Sequence, residues 1–321
     1  MKKIAILTSG GDSPGMNACI RAIVRTAIHH KIEVDGVYHG YDGLIQNDFI
    51  KLNNKSVSNI IQRGGTILKS ARSKEFFEYE GRKKAFDNLK ARNIDALITI
   101  GGDGTFRGAT TFEKEFGFPI IGIPGTIDND MIGTDFTIGY DTAINTVVEA
   151  VDKIRDTAES HDRLFIVEVM GRDAGLIALR SGIGVGAEAI LIPESKNDLP
   201  ALLKRLEQGR KDKSSKIIMV AEGDENGGAF KIADEIKKRF DNFDIRVSIL
   251  GHIQRGGSPS CSDRVLASRL GFYAVESLMQ GKRDCMVGII NGKLHYTPFS
   301  NAVKHIEDIY PDLIRMVEIL S

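Results

Sequence analysis

A doubly wound α/β fold with mainly parallel strands is predicted by three observations. Short apolar runs alternate with helix-period patterns along the whole chain. The runs lack strict polar–apolar alternation, the mark of strands buried on both faces. Glycine-rich segments recur just after them, at the strand ends where such folds bind ligands.

In chain order, Ile4–Leu7 reads as the first buried strand. Ile20, Ile23, Val24, Ala27 and Ile28 then fall on one helix face at i, i+3, i+4, i+7 and i+8. Ala96–Ile100 and Ile120–Ile123 read as strands, and Ile144, Val147, Val148, Val151 and Ile154 give a second amphipathic helix. Leu164–Val169, Ala189–Ile192 and Ile217–Ala221 are further strands. The charged stretch Glu207–Lys216 reads as a surface helix end and loop. Gly133–Gly139 and Gly251–Gly257 are candidate seams between domains.

The 321 residues, 42% of them hydrophobic, suffice for two domains of roughly 150 residues each. Lys+Arg and Asp+Glu number 43 each, which argues against a nucleic-acid coat or an acidic tail. Cys19, Cys261 and Cys285 contain no CxxC spacing, so neither a disulfide framework nor a structural zinc is expected. No apolar run reaches the ~18 residues of a membrane span, and the start into Ile4-Ala5-Ile6-Leu7 lacks the combination of charged leader, long apolar stretch and cleavage site expected of a signal peptide. A soluble cytoplasmic protein with neither nucleic-acid nor membrane partners is expected.

The glycine segments carry the chemistry. Thr8-Ser9-Gly10-Gly11-Asp12-Ser13-Pro14-Gly15-Met16-Asn17 opens the first helix, and such a loop can turn backbone N–H groups toward a phosphate. It is not a Walker A loop, because Met16-Asn17 replaces Lys-Ser/Thr. An ordinary tight turn remains open for these residues. Gly101-Gly102-Asp103-Gly104-Thr105 sets one carboxylate among glycines, where it can hold Mg²⁺ while amides hold phosphates, or simply cap a helix. Pro124-Gly125-Thr126-Ile127-Asp128-Asn129-Asp130 offers two carboxylates and a hydroxyl. One carboxylate can take a proton and the other can orient a metal-bound water, although a capping loop would use the same residues. Met170-Gly171-Arg172, Glu222-Gly223 and His252-Ile253-Gln254-Arg255-Gly256-Gly257-Ser258, the last after Arg246, add cations at strand ends that could grip a phosphate monoester.

Over essentially its full length the chain resembles the bacterial-type ATP-dependent 6-phosphofructokinases. The matching segments are Leu7–Asn17, Gly64-Gly65-Thr66 through Arg72, Gly101–Gly104, Pro124–Asp130, Arg155, Arg163, Met170–Arg172, Pro193-Glu194, Glu222 and Leu250–Pro259. Pro124–Asp130 and Gly251–Pro259 are the specific ones. The resemblance implies two similar domains with the chain crossing between them: 1–138 plus 252–304 for ATP, and 139–251 plus 305–321 for fructose 6-phosphate. It implies a homotetramer, MgATP as phosphoryl donor, and transfer to the 1-hydroxyl of fructose 6-phosphate in glycolysis.

Carried over by position, Asp128 is the base and Asp103 serves the Mg²⁺. Gly11, Arg72, Ser73, Gly102, Gly104 and Thr105 hold the nucleotide. Thr126, Ile127, Met170, Gly171, Arg172 and Glu222 hold the sugar and the transferring group, with Thr126, Arg72 and Arg172 assisting catalysis. Arg163, Arg246, His252, Ile253, Gln254 and Arg255 bind the 6-phosphate end, Arg163 and Arg246 coming from a neighbouring subunit. The same resemblance offers an effector site for ADP or phosphoenolpyruvate at Arg21, Arg25, Arg155, Gly186, Glu188 and Lys213. Asn54 and Ser214-Ser215 depart from its basic pattern, and a solvated helix face accounts equally for Arg21 and Arg25.

Pyrophosphate-using relatives carry Asp where this chain has Gly104 and Lys where it has Gly125, so both glycines point to ATP. The alternatives are pyrophosphate as donor and a catalytically silent nucleotide-binding regulator on the same scaffold.

Overall fold

The chain begins β1 (Lys3–Thr8), α1 (Met16–His29), β2 (Glu33–Val37), α2 (Gly40–Gln46) and β3 (Phe49–Leu52). A short 3-10 turn, Glu75–Phe77, precedes α3 (Tyr79–Ala91), β4 (Ala96–Gly101), α4 (Asp103–Phe116) and β5 (Ile120–Pro124). Next come α5 (Tyr140–Glu159), β6 (Leu164–Val169), α6 (Leu176–Gly184), β7 (Ala189–Leu191), α7 (Asp198–Gln208), β8 (Lys216–Ala221), α8 (Ala229–Lys237) and β9 (Ile245–Ile249). A second 3-10 turn, Gly251–Arg255, leads to α9 (Cys261–Met279), β10 (Cys285–Ile290), β11 (Lys293–Pro298) and α10 (Pro311–Leu320). This computed structural model describes residues 1–161, 163–195, 198–208, 216–225, 227–241, 243–302, 304 and 311–320. None of the helices among the described residues is long and apolar enough to cross a membrane.

Two compact units divide the chain. Residues 1–127, 131–142 and 255–304 form the first, and the described parts of 128–130, 143–254 and 305–321 form the second. The change of unit comes after Thr142, rather than after 138. The carboxylate of Asp263 in α9 accepts hydrogen bonds from Gly139 N and from the N and Oγ1 of Thr142, tying the first turn of α5 to the first unit. The return comes between Gln254 and Arg255, rather than at 252. Gln254 Oε1 accepts from Met170 N, whereas Arg255 donates to Asp12 O.

The first unit holds a seven-stranded sheet in the order β11-β10-β5-β4-β1-β2-β3. Its inner strands are parallel, while β3 and β11 at the edges run antiparallel to their neighbours. The unbroken apolar run of β1 has a direct cause. Ile4 and Ile6 join a cluster with α1 and α9, Ala5 and Leu7 join a cluster with Phe106 and Phe112 of α4, and all are fully buried. Each such Ile or Leu contributes about 1.5–3 kcal/mol on burial. Helices α1 and α9 touch closely because Gly271 lacks a side chain: a Cβ there would lie 2.8 Å from Cys19 O.

The second unit holds a four-stranded sheet, β7-β8-β6-β9, parallel throughout. Leu164, Ile166, Ile218 and Val220 pack on one face with Leu202 and Leu203 of α7 and Ile232 and Ile236 of α8.

Candidate active site

In the first unit three loops leave the carboxyl ends of β1, β4 and β5. The β1 loop reaches α1 through Gly15, whose φ of 109° lies in the region that favours glycine. A Cβ on Gly11 would sit 2.4 Å from an Arg255 guanidinium nitrogen, so that side chain would have to shift. Arg255 Nη1 also donates to Asp12 O at 3.1 Å. Arg255, expected at the sugar phosphate, thus rests on the β1 loop of its own unit.

Asn17 occupies the place of a Walker serine but works on protein. Its Nδ2 donates to Arg63 O and Gly64 O at 3.1 and 3.0 Å, and its Oδ1 accepts from Ile67 N at 2.7 Å. The loop it clamps leads to Arg72, whose guanidinium is exposed and pairs with no carboxylate among the described residues. Ser73, expected at the nucleotide, has its hydroxyl engaged with Asp42 Oδ1 at 3.1 Å and Phe76 N at 3.3 Å. Sequence reasoning missed Arg82, which closes this segment. Its guanidinium holds Phe76 O and Phe77 O and makes a two-pronged pair with Glu115 at 2.6 Å. That pair raises the Arg82 pKa further above its ordinary value.

The β4 loop opens α4. Gly102 precedes the helix in an extended conformation, and Asp103 is the first helical residue, where a carboxylate is favoured by the helix dipole. Thr105 is buried: its Oγ1 donates to Ser9 O at 3.2 Å and its carbonyl accepts from Tyr41 Oη at 2.7 Å. These bonds join the β1 and β4 loops into one surface. A Cβ on Gly104 would meet no atom within 4 Å. Asp103 has a partner that the sequence did not announce, since Arg107 Nε lies 3.1 and 2.9 Å from its two carboxylate oxygens.

After β5, Gly125 N donates to Gly101 O at 2.9 Å, and Thr126 O accepts from Thr137 Oγ1. A Cβ on Gly125 would lie 3.0 Å from Ile100 and 3.2 Å from Met16. Thr126, Ile127, Asp128 and Asp130 are all buried.

In the second unit Arg172 Nε stands 3.9 Å from Asp128 Oδ2. Arg172 adopts a left-handed φ of 54°, and its N–H donates to Glu222 Oε1 at 2.9 Å. The adjoining loops interlock tightly, because a Cβ on Gly223 would lie 1.9 Å from Arg172 O. Met170, Gly171, Arg172 and Glu222 therefore gather at the carboxyl ends of β6 and β8. Gln254 is fully buried and positions Met170, while His252 and Ile253 are exposed.

Arg246 departs from the expected edge. It sits near the start of β9, paired in register with Phe165 at the start of β6, and Arg163 directly precedes β6. Both arginines bind Asp244, at 2.8 and 3.0 Å, and Arg163 lowers the carboxyl pKa of Asp244 below its ordinary value. The length of β6 separates this pair from Arg172 by about 17–20 Å at ~3.3 Å per residue.

Arg21 and Arg25 share a face of α1. Burial and the neighbouring Arg25 lower the Arg21 pKa. In the second unit Arg155 donates to Val185 O, beside Gly186. Lys213 and Ser214-Ser215 lie outside the described residues.

Two mainly parallel sheets with helices packed on them and tightly fitted glycine loops at their strand ends define an α/β protein. The family model for Phosphofructokinase matches residues 3–278. The chain is 56% identical to the ATP-dependent 6-phosphofructokinase of Cytophaga hutchinsonii, over 100% of this chain and 98% of that one. It is 52% identical to ATP-dependent 6-phosphofructokinase 1 of Thermus thermophilus, over all of both chains. The structure of phosphofructokinase from Saccharomyces cerevisiae superposes with a TM-score of 0.88 at 37% identity, covering 100% of this chain and 46% of the yeast chain. A pyrophosphate-dependent phosphofructokinase from Marinobacter aquaeolei, 23% identical with a TM-score of 0.84, shares the fold over 100% of this chain and 91% of its own. The chain belongs to the phosphofructokinase family.

Proposed function

We propose that this chain transfers the γ-phosphoryl group of ATP to the 1-hydroxyl of fructose 6-phosphate, giving fructose 1,6-bisphosphate and ADP in cytoplasmic glycolysis. The observation that carries the choice of donor is the open space over Gly104 at the start of α4. A nucleotide donor needs that room beyond its terminal phosphates, whereas pyrophosphate does not.

Asp103 is a hard oxygen donor beside that space and fits Mg²⁺, which takes one or two carboxylates together with phosphate oxygens. Bound there, Mg²⁺ would neutralise charge on the phosphates. The protein groups do the rest. The β1 and β4 loops, with Gly11, Gly102, Gly104 and Thr105, present the backbone to the nucleotide, and Arg72 supplies an exposed cation. Asp128 accepts the proton of the attacking hydroxyl. Arg172 places positive charge beside that carboxylate and is itself fixed through Glu222. Phosphoryl transfer depends chiefly on such positioning and charge compensation.

Arg163 and Arg246 lie at the opposite strand edge from Arg172, which supports their acting in a neighbouring subunit's sugar-phosphate site within a homotetramer. Arg21, Arg25, Arg155, Gly186, Glu188 and Lys213 are proposed for ADP or phosphoenolpyruvate. Asn54, neutral and exposed, weakens that site.

A coupled assay offering fructose 6-phosphate with MgATP or with pyrophosphate tests the reading. MgATP is expected to support turnover and pyrophosphate to give a negligible rate. Equal rates would overturn the donor assignment, and no turnover with either would favour a silent regulator.

A further inference from the structure

Arg107 has no place in the reading above, yet it holds the carboxylate on which that reading depends. Its Nε bridges both oxygens of Asp103 at 3.1 and 2.9 Å. The two side chains are unequal: Asp103 is only 12% exposed, Arg107 71%. The arginine therefore closes the carboxylate from the solvent side. It does so from one turn further along α4, a rise of about 6 Å, on the same helix face. A divalent cation must compete with this Nε–H, which both Asp103 oxygens share, for the carboxylate.

We propose that Arg107 is a nucleotide-positioning residue that exchanges partners. Without nucleotide it neutralises Asp103 and keeps free divalent cations off. With a metal–nucleoside triphosphate bound, Asp103 would hold the cation and Arg107, released, would turn its guanidinium to the phosphate oxygens. The flexible arginine stem reaches both positions, and the open volume over Gly104, the next residue after Asp103, leaves room for the movement. Guanidinium suits both partners, because its planar fork matches carboxylate and phosphate oxygens alike. The device favours the metal–nucleotide complex over either component alone. It rests on the assignment of Asp103 to Mg²⁺ in the proposed reaction.

The two halves of the exchange move two affinities in opposite directions. In Arg107→Gln the closed carboxylate opens, so free Mn²⁺, measured by electron paramagnetic resonance without nucleotide, binds about two- to fivefold more tightly, as expected for losing an exposed ion pair. The same variant loses a charged phosphate contact, so MgATP, measured calorimetrically without sugar phosphate, binds about three- to tenfold more weakly. Arg107→Lys keeps a charge without the fork and falls between on both scales. A merely structural arginine would leave both affinities unchanged or weaken both, and either result overturns the proposal.

Asp103→Asn separates the two layers of inference. If it leaves MgATP affinity and its Mg²⁺ dependence unchanged, the assignment of Asp103 is wrong and the exchange falls with it. If Asp103→Asn weakens MgATP while Arg107→Gln matches wild type, only the exchange is overturned.

Discussion

Arg172 Nε stands 3.9 Å from Asp128 Oδ2, and the same arginine is anchored through its own backbone N–H to Glu222. The ion pair thus hangs from a loop locked to the next strand end. Asp128→Asn keeps the size of the side chain and removes the proposed base. Its kcat is expected to fall by about 10²–10⁴, the usual span for a general base, with fructose 6-phosphate binding retained. Steady-state kinetics beside equilibrium binding checks this, and a kcat within tenfold of wild type would remove Asp128 from the base role.

Donor choice rests on two glycines that differ physically. Gly104 faces open space, so Gly104→Asp is expected to fold normally and to act by placing a negative charge where the proposed donor's phosphates would lie. Turnover with MgATP should be lost without a change in Tm. Gly125 is enclosed, since a Cβ there would lie 3.0 Å from Ile100 and 3.2 Å from Met16. Gly125→Lys should cost about 1–3 kcal/mol of stability by overpacking, read as a lowered urea midpoint. The pair of substitutions should therefore not yield a robust pyrophosphate enzyme. A Gly104→Asp variant that retains MgATP turnover would show that the open space is not the nucleotide's.

Asp244 holds Arg163 and Arg246 together at the amino ends of β6 and β9, a strand's length from Arg172. If these arginines complete another subunit's site, Asp128→Asn and Arg246→Ala subunits should complement each other. Each is expected to be nearly inactive alone, and verified mixed tetramers should regain part of the activity, because some interfaces then pair an intact base with an intact arginine. Mixed tetramers without recovery would place Arg246 in the site of its own chain.

Strands buried on both faces announce themselves as apolar runs, so the centres of β1, β4, β5, β6, β7 and β8 were legible in the sequence. Strands β2, β3 and β11 were not. Glu33–Val37, Phe49–Leu52 and Lys293–Pro298 carry charge or glycine and depend on neighbours that no local pattern reveals. The glycine loops were legible because glycines gather where the backbone approaches its neighbours closely, most sharply at Gly223, where a Cβ would lie 1.9 Å from Arg172 O. Their supporting bonds were hidden. Asn17 looked like part of a phosphate loop but clamps residues 63–67, and Ser73 turns to Asp42. Arg246 looked like a strand-end cation, because a sequence gives the order of residues along a strand but not which end a side chain marks until the strand's bounds are fixed. Arg82 and Arg107 carried no motif, since each acts through a carboxylate a turn or an element away.

Asp263 offers a test of pH dependence at the start of α5. Ser260 caps α9 by accepting from Asp263 N, and the Asp263 carboxylate turns away to accept from Gly139 and Thr142. Burial raises its pKa above the ordinary 3.8, aided by nearby Asp141, while the Thr142 hydroxyl and the two backbone N–H groups oppose the shift. The native state therefore keeps this proton to higher pH than the unfolded chain does. Its contribution to stability is full below about pH 3.8 and declines as pH rises through the raised native value. Asp263→Asn cannot ionise, and its amide satisfies fewer of the three donors, an offset that does not change with pH. The stability of wild type minus that of the variant, from urea midpoints between acid and neutral pH, is expected to fall as pH rises above 3.8 and then level off. A difference that grows with pH would mean that the hydrogen bonds to Gly139 and Thr142 outweigh burial and that the native carboxylate is favoured.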